Sequence, residues 1–271
     1  VDKEGAGDQG MMYGYATDET PERMPYPFVV ATKISNALLK EFNNHPHIFG
    51  PDGKCEVAVE YDKNGNPKRV STIVVSAQTK KGMLQIAKKY IIEAVKSNVQ
   101  NFNDIKLLIN PTGAFEVGGP YVDSGLTGRK IICDTYGGVA HHGGGAFSGK
   151  DPSKVDRSGA YYCRYVAKSL VDSGLCKKCE VGVAYSIGIA EPVSISVDSF
   201  GTGIISDDDL SQIVKDNFDF KPVSIKKELK LLFTKYQDTA YFGHFGRLDL
   251  NLPWEDTNGK VQQIKKTYTK A

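Results

Sequence analysis

The chain reads as an α+β protein, and three observations carry that expectation. Two β-rich runs, residues 55–61 and 70–77, flank a turn containing Asn64-Gly65, a dipeptide suited to the positive φ angles of a tight hairpin. Segments with apolar residues at helical spacing lie on both sides of that pair. Regular strand-helix-strand alternation, the mark of a parallel sheet, is missing, so hairpins packed by helices are expected.

The elements follow in order. Residues 5–10, Gly-Ala-Gly-Asp-Gln-Gly, read as an opening glycine-rich loop. Over 27–43 a helical face collects Phe28, Val29, Ala31, Ile34, Leu38, Leu39 and Phe42, and Asn43, Asn44 and Pro46 end it. After the hairpin, 83–99 is a helix with Leu84, Ile86, Ala87, Ile91, Ala94 and Val95 turned inward. A strand over 106–110 precedes a Gly/Pro-rich stretch at 111–120, the expected crossing between two modules, 1–117 and 118–271. In the second module, 130–134 reads as a short strand, and 158–172 as a helix closed by Gly174. Strands over 178–190 and 193–200 join at Glu191-Pro192, helices follow near 207–217 and 224–232, and the aromatic end is irregular. No internal repeat stands out.

Composition narrows the function. A chain of 271 residues can bury a substantial core, and it holds no apolar run long enough for a transmembrane helix. A net charge of +2 is too small for a broad nucleic-acid or membrane surface, so the positive charge that matters is local. Five scattered cysteines suit reduced thiols in a cytoplasmic protein. Cys176 and Cys179 form a Cys-x-x-Cys, but no second pair or nearby Cys/His set completes a zinc site. The start at Val1 carries no initiator Met, no charged-then-apolar signal and no secretory cleavage pattern.

The local charge concentrates at residues 143–157, Gly-Gly-Gly-Ala-Phe-Ser-Gly-Lys-Asp-Pro-Ser-Lys-Val-Asp-Arg. Glycines admit a ligand to backbone N–H groups, and lysines neutralise phosphate oxygens. Residues 125–130, Gly-Leu-Thr-Gly-Arg-Lys, add a second cationic pair on a flexible turn. Gly144 to Lys150 satisfies Gly-x-x-x-x-Gly-Lys, yet Asp151 stands where a P-loop needs Ser or Thr, and Pro152 interrupts the helix that should follow. Lys150 and Lys154, four apart, would share a face if the segment were helical, with Asp156 close by. Asp8 and Asp123 sit in turns and read as turn formers unless a ligand engages them. His141 and His142 adjoin the glycines, but neighbours in sequence rarely aim at one ion. Ser148 lacks the Gly-x-Ser-x-Gly setting of a hydrolase. Phe115, Tyr136 and Phe147 fit a core or an adenine face.

Taken together, residues 5–10, Asp-Ser-Gly-Leu-Thr-Gly-Arg-Lys at 123–130, Asp-Thr-Tyr-Gly-Gly at 134–138 and the glycine loop at 143–157 resemble S-adenosylmethionine synthetase. Similar stretches run through 13–20, 109–113, 184–188, 242–247 and 253–255, so the resemblance covers essentially the whole chain. It implies a fold of repeated mixed or antiparallel sheet-plus-helix modules, here the middle (1–117) and C-terminal (118–271) domains. The implied reaction forms S-adenosylmethionine from ATP and L-methionine, releasing tripolyphosphate that is cleaved to phosphate and diphosphate. It further implies Mg²⁺, K⁺, and a homodimer or homotetramer with active sites between subunits, with no nucleic acid and no membrane.

Carried over by motif, Arg129, Lys130 and Lys150 resemble triphosphate ligands, Asp156 a magnesium ligand and Ala146 part of the nucleotide wall. Lys154 is similar to a residue contacting both methionine and phosphate. Asp123 resembles one shared by ATP and methionine, and Asp8 one near the ribose and the reacting sulfur. Asp52, Gly53 and Lys54 match a nucleotide contact, and Phe115 an adenine-side aromatic, though Ala114 replaces the Arg usual before it. Nothing corresponds to the family's amino-terminal Gly-His-Pro-Asp-Lys segment. A chain complete as written is therefore expected to be weak or inactive, a truncated one to come from an active parent. A noncatalytic nucleotide- or polyphosphate-binding subunit is the alternative.

Overall fold

The computed structural model describes residues 5–268. Contacts gather these into two compact units, one holding the residues up to Pro25 together with those from Thr127 onward, the other spanning Tyr26–Leu126. The first strand of the first unit, β1 (Gly10–Thr17), begins at the last residue of the opening glycine-rich loop and covers a stretch for which the sequence suggested no element. Its run Gly-Met-Met-Tyr-Gly-Tyr-Ala-Thr has no clean alternation, because five of the last six residues are buried.

The second unit opens with α1 (Tyr26–Asn44), which buries Val29, Val30, Ile34 and Leu38. The hairpin forms as expected from β2 (Phe49–Tyr61) and β3 (Pro67–Thr79), paired antiparallel. Its turn is held by the Asp62 carboxylate, which accepts from the amides of Asn64 and Asn66 at 2.8 and 2.9 Å, while Gly65 takes φ +76°. Helix α2 (Leu84–Lys96) then crosses over to β4 (Lys106–Ile109), which pairs with β3 in parallel. The sheet, in order β2-β3-β4, is thus mixed. Ile34, Leu38, Ile73, Val75, Ala87 and Ile91 form the heart of its core. Asn110 continues the ladder with its side chain, accepting from the Ala77 amide at 2.8 Å and donating to the Ala77 carbonyl at 3.0 Å.

The first unit resumes with α3 (Ile131–Asp134), a single helical turn in place of the expected strand. The Thr135 hydroxyl donates back to the Ile131 carbonyl at 2.9 Å, and Gly137 and Gly138, both at positive φ, turn the chain away. Local hydrogen bonds therefore override the β preference of Ile-Ile-Cys. Helix α4 (Val155–Asp172) is buried from Val155 through Val171 except at Asp156. Strand β5 (Lys178–Tyr185) is central, flanked antiparallel by β1 and β6 (Ser194–Asp198). Both strands are shorter than expected, since Gly188 at φ +75° ends the first run in a turn.

Helix α5 (Asp207–Asn217) matches its expected span and starts at Ser206, whose hydroxyl accepts from the Asp209 amide at 3.1 Å. Helix α6 (Pro222–Glu228) begins with proline and stops before Lys230, at φ +49°. The residual 3-10 turn Leu231–Phe233 is what the sequence suggested as continuous helix. Helix α7 (Asn258–Tyr268) was hidden in the irregular end, because only Ile264 of it is buried and its apolar pattern is correspondingly thin.

Helix α4 can lie against β1 because Gly14 has no side chain: a Cβ there would overlap the backbone of Cys163 and Arg164. Arg164 is itself fully enclosed. Its guanidinium makes a two-pronged pair with Glu255 at 3.0 and 2.9 Å and donates to the carbonyls of Tyr15, Glu22 and Arg23. Beside it, Trp254 stacks on Tyr161 at 3.9 Å between centroids. Removing one partner of a buried pair strands the other charge. Glu255→Ala should therefore lower unfolding free energy by about 3–5 kcal/mol in chemical denaturation, and a loss under about 1 kcal/mol would contradict this role.

Candidate active site

The glycine loop is a part of the first unit in which backbone substitutes for side chain. A Cβ at Gly143 would overlap the Met11 carbonyl, and one at Gly145 would overlap the Asp156 carboxyl group. Gly144 and Gly149 take φ +91° and +89°, conformations that favour glycine. The loop thus rests on β1 at one end and on the first turn of α4 at the other.

The Thr127-Gly128-Arg129-Lys130 turn packs on the same loop. A Cβ at Gly128 would overlap that of Ala146, and one at Gly149 would sit 3.7 Å from the Thr127 methyl. The turn bearing Arg129 and Lys130 is therefore seated on the loop bearing Lys150. Lys150 lies outside α4, and its ammonium pairs with Asp156 at 2.5 Å. Lys154 is the exposed residue just before the helix. The shared helical face expected for the two lysines is thus replaced by a turn: the Asp151 carboxylate accepts from the Ser153 amide at 2.8 Å, and Pro152 lies between them. The helix begins five residues after Lys150, which removes the geometry of a P-loop.

Behind the loop is a layer that sequence reasoning missed. The Arg157 guanidinium donates to the Lys150 carbonyl and to the Tyr161 hydroxyl, and lies 4.0 Å from the centroid of the Tyr236 ring. The Tyr161 hydroxyl is 2.7 Å from Nδ1 of His244, whose Nε2 is 3.4 Å from Ser148 Oγ. Phe147 is buried against Tyr161, His244 and Phe245. Ser148 and Phe147 are thereby loop anchors.

On the near side, Nδ1 of His142 accepts from the Gly144 amide at 2.7 Å, in keeping with a neutral ring whose pKa burial lowers. His141 turns the other way, onto Glu180 of β5. A carboxylate between Cys179 and Val181 in a central strand was the available signal for that partner.

Asp8 is exposed, three residues before Met11, and its carboxylate accepts from the Gln9 amide at 2.8 Å. Its loop is tied down by Ala6, which exchanges backbone bonds with Ile189 and Gly188 at 3.0 and 2.8 Å.

A second group lies within the Tyr26–Leu126 unit. The Asp52 carboxylate accepts from the Gly119 amide at 2.9 Å, and a Cβ at Gly118 would come within 2.8 Å of the Phe115 ring and 3.1 Å of Asp52. The Asp123 amide donates to the Gly119 carbonyl at 3.1 Å. Asp52, Phe115 and the Asp123 backbone are thus brought to one loop cluster, with Gly53 against the Phe42 ring and Lys54 exposed.

Among the described residues, no three His, Cys, Asp or Glu side chains converge on a point that could hold a metal. Cys176 and Cys179 are buried free thiols. No helix among those residues is long and apolar enough to cross a membrane.

Comparison with known proteins adds to this geometry. The family description for the central domain of S-adenosylmethionine synthetase matches residues 3–115, and that for its C-terminal domain matches residues 117–256. The chain belongs to the S-adenosylmethionine synthetase family. It is also similar to the solved structure of an unusual S-adenosylmethionine synthetase from Campylobacter jejuni, with 38% sequence identity and a TM-score of 0.91. The match spans 97% of this chain and 71% of that one. The glycine loop falls wholly inside the C-terminal synthetase match, whereas β1, on which it rests, falls inside the central one. The family matches and the compact units therefore divide the chain differently.

His244 supplies a pH test of the anchoring layer. Burial, then the charges of Arg157 and Arg247, depress its pKa to about 3, so it is neutral in the folded state. The unfolded imidazole takes up a proton below about pH 6.5. Its contribution is thus present above that pH and is lost as pH falls toward 3. His244→Gln should flatten the acid side of the stability profile, read by denaturation at several pH values; an unchanged slope would contradict it.

Proposed function

We propose that the chain works as a methionine adenosyltransferase, making S-adenosylmethionine from ATP and L-methionine. The observation that supports this reading is the seating of the Arg129-Lys130 turn on the glycine loop that presents Lys150 beside Asp156. In this reading a lone pair on the methionine sulfur attacks C5′ of the ribose. The new S–C bond forms as the C5′–O bond breaks, and its electrons leave with tripolyphosphate, which water then cleaves to diphosphate and phosphate.

A thioether has no proton to give up, so alkylating it requires no general base. The barrier is charge separation, a sulfonium forming while a polyanion departs, and preorganised cations lower it. Arg129, Lys130, Lys150 and Lys154 are assigned to the phosphate oxygens, Asp8 to the ribose and sulfur side, and Asp123 to ATP and methionine. Ala146, Asp52, Gly53, Lys54 and Phe115 are assigned to the nucleotide.

Magnesium fits the donor set. It commonly takes one or two carboxylates together with phosphate oxygens, and Asp156 offers one carboxylate at the loop. When bound, the ion would neutralise charge on the phosphates. Lys150, paired with Asp156 in the free chain, would turn to phosphate. Potassium belongs to the reading through the family, with no residue assigned to it and no step routed through it. The reading includes sequence domains at 1–117 and 118–271, a homodimer or homotetramer with sites between subunits, and a cytoplasmic location.

Binding and chemistry are tested separately. Lys150→Met should weaken magnesium tripolyphosphate binding by about 10- to 100-fold in calorimetry, the worth of a hydrogen bond to a charged group. Incubation of the unaltered chain with ATP and L-methionine should yield S-adenosylmethionine by mass spectrometry. Binding without product would instead favour a noncatalytic polyphosphate-binding subunit. No binding at all would overturn both.

A further inference from the structure

Glu180 is a carboxylate in the middle strand of the β1-β5-β6 sheet, with a side chain only 9% exposed. Both of its oxygens are taken by one residue. The His141 amide donates to Oε2 at 2.9 Å, and the His141 ring nitrogen Nδ1 lies 2.7 Å from Oε1. His141 itself is 75% exposed, with its ring 5.4 Å from that of Tyr13 on β1. Two residues further on, the chain enters the glycine run, where Gly143 covers the Met11 carbonyl. The loop is therefore tethered at both ends, by Arg157 on the Lys150 carbonyl and by Glu180 on His141.

We propose that Glu180 is a positioning residue for the glycine loop, acting through His141, and that this tether makes the loop's hold on phosphate pH-dependent. The link to phosphate rests on the function proposed above; the tether itself does not. A protonated imidazole neutralises the enclosed carboxylate, whereas a neutral one leaves that charge with hydrogen bonds alone. The groups facing His141 are Glu180 on β5, Asp198 on β6 and Tyr13 on β1. The hydrogen bond from Glu180, then its charge, and Asp198 more weakly, raise the pKa of His141 above its ordinary 6.5. A raised histidine pKa gives a contribution that is complete below about pH 6.5 and fades as pH climbs through the folded value. The transition thus lies on the alkaline side of the ordinary histidine value.

The test compares the unaltered chain with His141→Arg, which cannot lose its charge, and with Glu180→Gln, which keeps a hydrogen-bond acceptor but no charge. Magnesium tripolyphosphate affinity is measured from about pH 6 to about pH 8.5. Titration of the ligand itself cancels in the ratio between variants. Relative to His141→Arg, the unaltered chain should lose about three- to tenfold in affinity over that range. Amide hydrogen exchange at Gly143 to Gly145, compared in the same ratio, should accelerate in parallel. Glu180→Gln should show weak binding and fast exchange with no such pH dependence. Flat ratios for both readouts would overturn the proposal. Should the chain bind no tripolyphosphate at any pH, the polyphosphate reading fails, and hydrogen exchange alone still decides the tether. If Glu180→Gln does not fold, His141→Arg carries the test, since His141 is at the surface.

Discussion

A guanidinium sealed from water governs how the first unit is assembled. Arg164 sits on a helix buried along almost its whole length, and every direction its planar fork points must end on an oxygen. Those oxygens come from Tyr15 in β1, Glu22 and Arg23 in the following turn, and Glu255 more than ninety residues on. One side chain thereby joins the first strand, α4 and the C-terminal region. Glu255 is also the acceptor for the Gly246 amide at 2.8 Å, so the segment between His244 and Trp254 is tied to the same point.

The site inherits its rigidity from that arrangement. Because α4 cannot shift, its first turn holds Asp156 and Arg157 at fixed places beneath the glycine loop. Where the loop meets β1 and Asp156 it has no side chains to soften the contact, and aromatic packing around Phe147 closes it from behind. A site built this way carries its cations on turns that are seated against the core. That matches the demands of stabilising a departing polyanion, where donors fixed beforehand act more strongly than donors that must reorganise.

Sequence alone carried the hairpin, both long helices and α5, and it singled out the glycine- and lysine-rich 143–157 loop as the candidate site, because each rests on local chemistry. Asn64-Gly65 dictates its turn, Ser206 caps its helix, and the glycine and lysine spacing is readable without a partner. What could not be read depended on distant contacts. β1 lacks alternation because both of its faces are covered. α3 forms because Thr135 reaches back to Ile131, against the β preference of its residues. Lys150 and Lys154 do not share a helical face because Asp151, Pro152 and Ser153 form a turn between them. Tyr161, His244 and Glu180 escaped notice because their role exists only through partners remote in sequence, whereas Arg157, visible as a cation of the 143–157 stretch, is buried with its guanidinium on the Lys150 carbonyl. The domain boundary shows the same limit: family matches meet near residue 116, while strand pairing returns residues 10–17 to the later part of the chain.

The central claim is that cations on glycine-bordered loops of the first unit receive the triphosphate. The most direct measurement is a structure of the chain with magnesium and tripolyphosphate. The account predicts phosphoryl oxygens within hydrogen-bonding distance of Lys150 Nζ and of amides in the 143–149 run, with magnesium on Asp156. Tripolyphosphate held elsewhere, with Lys150 still paired to Asp156 and the loop empty, would contradict it.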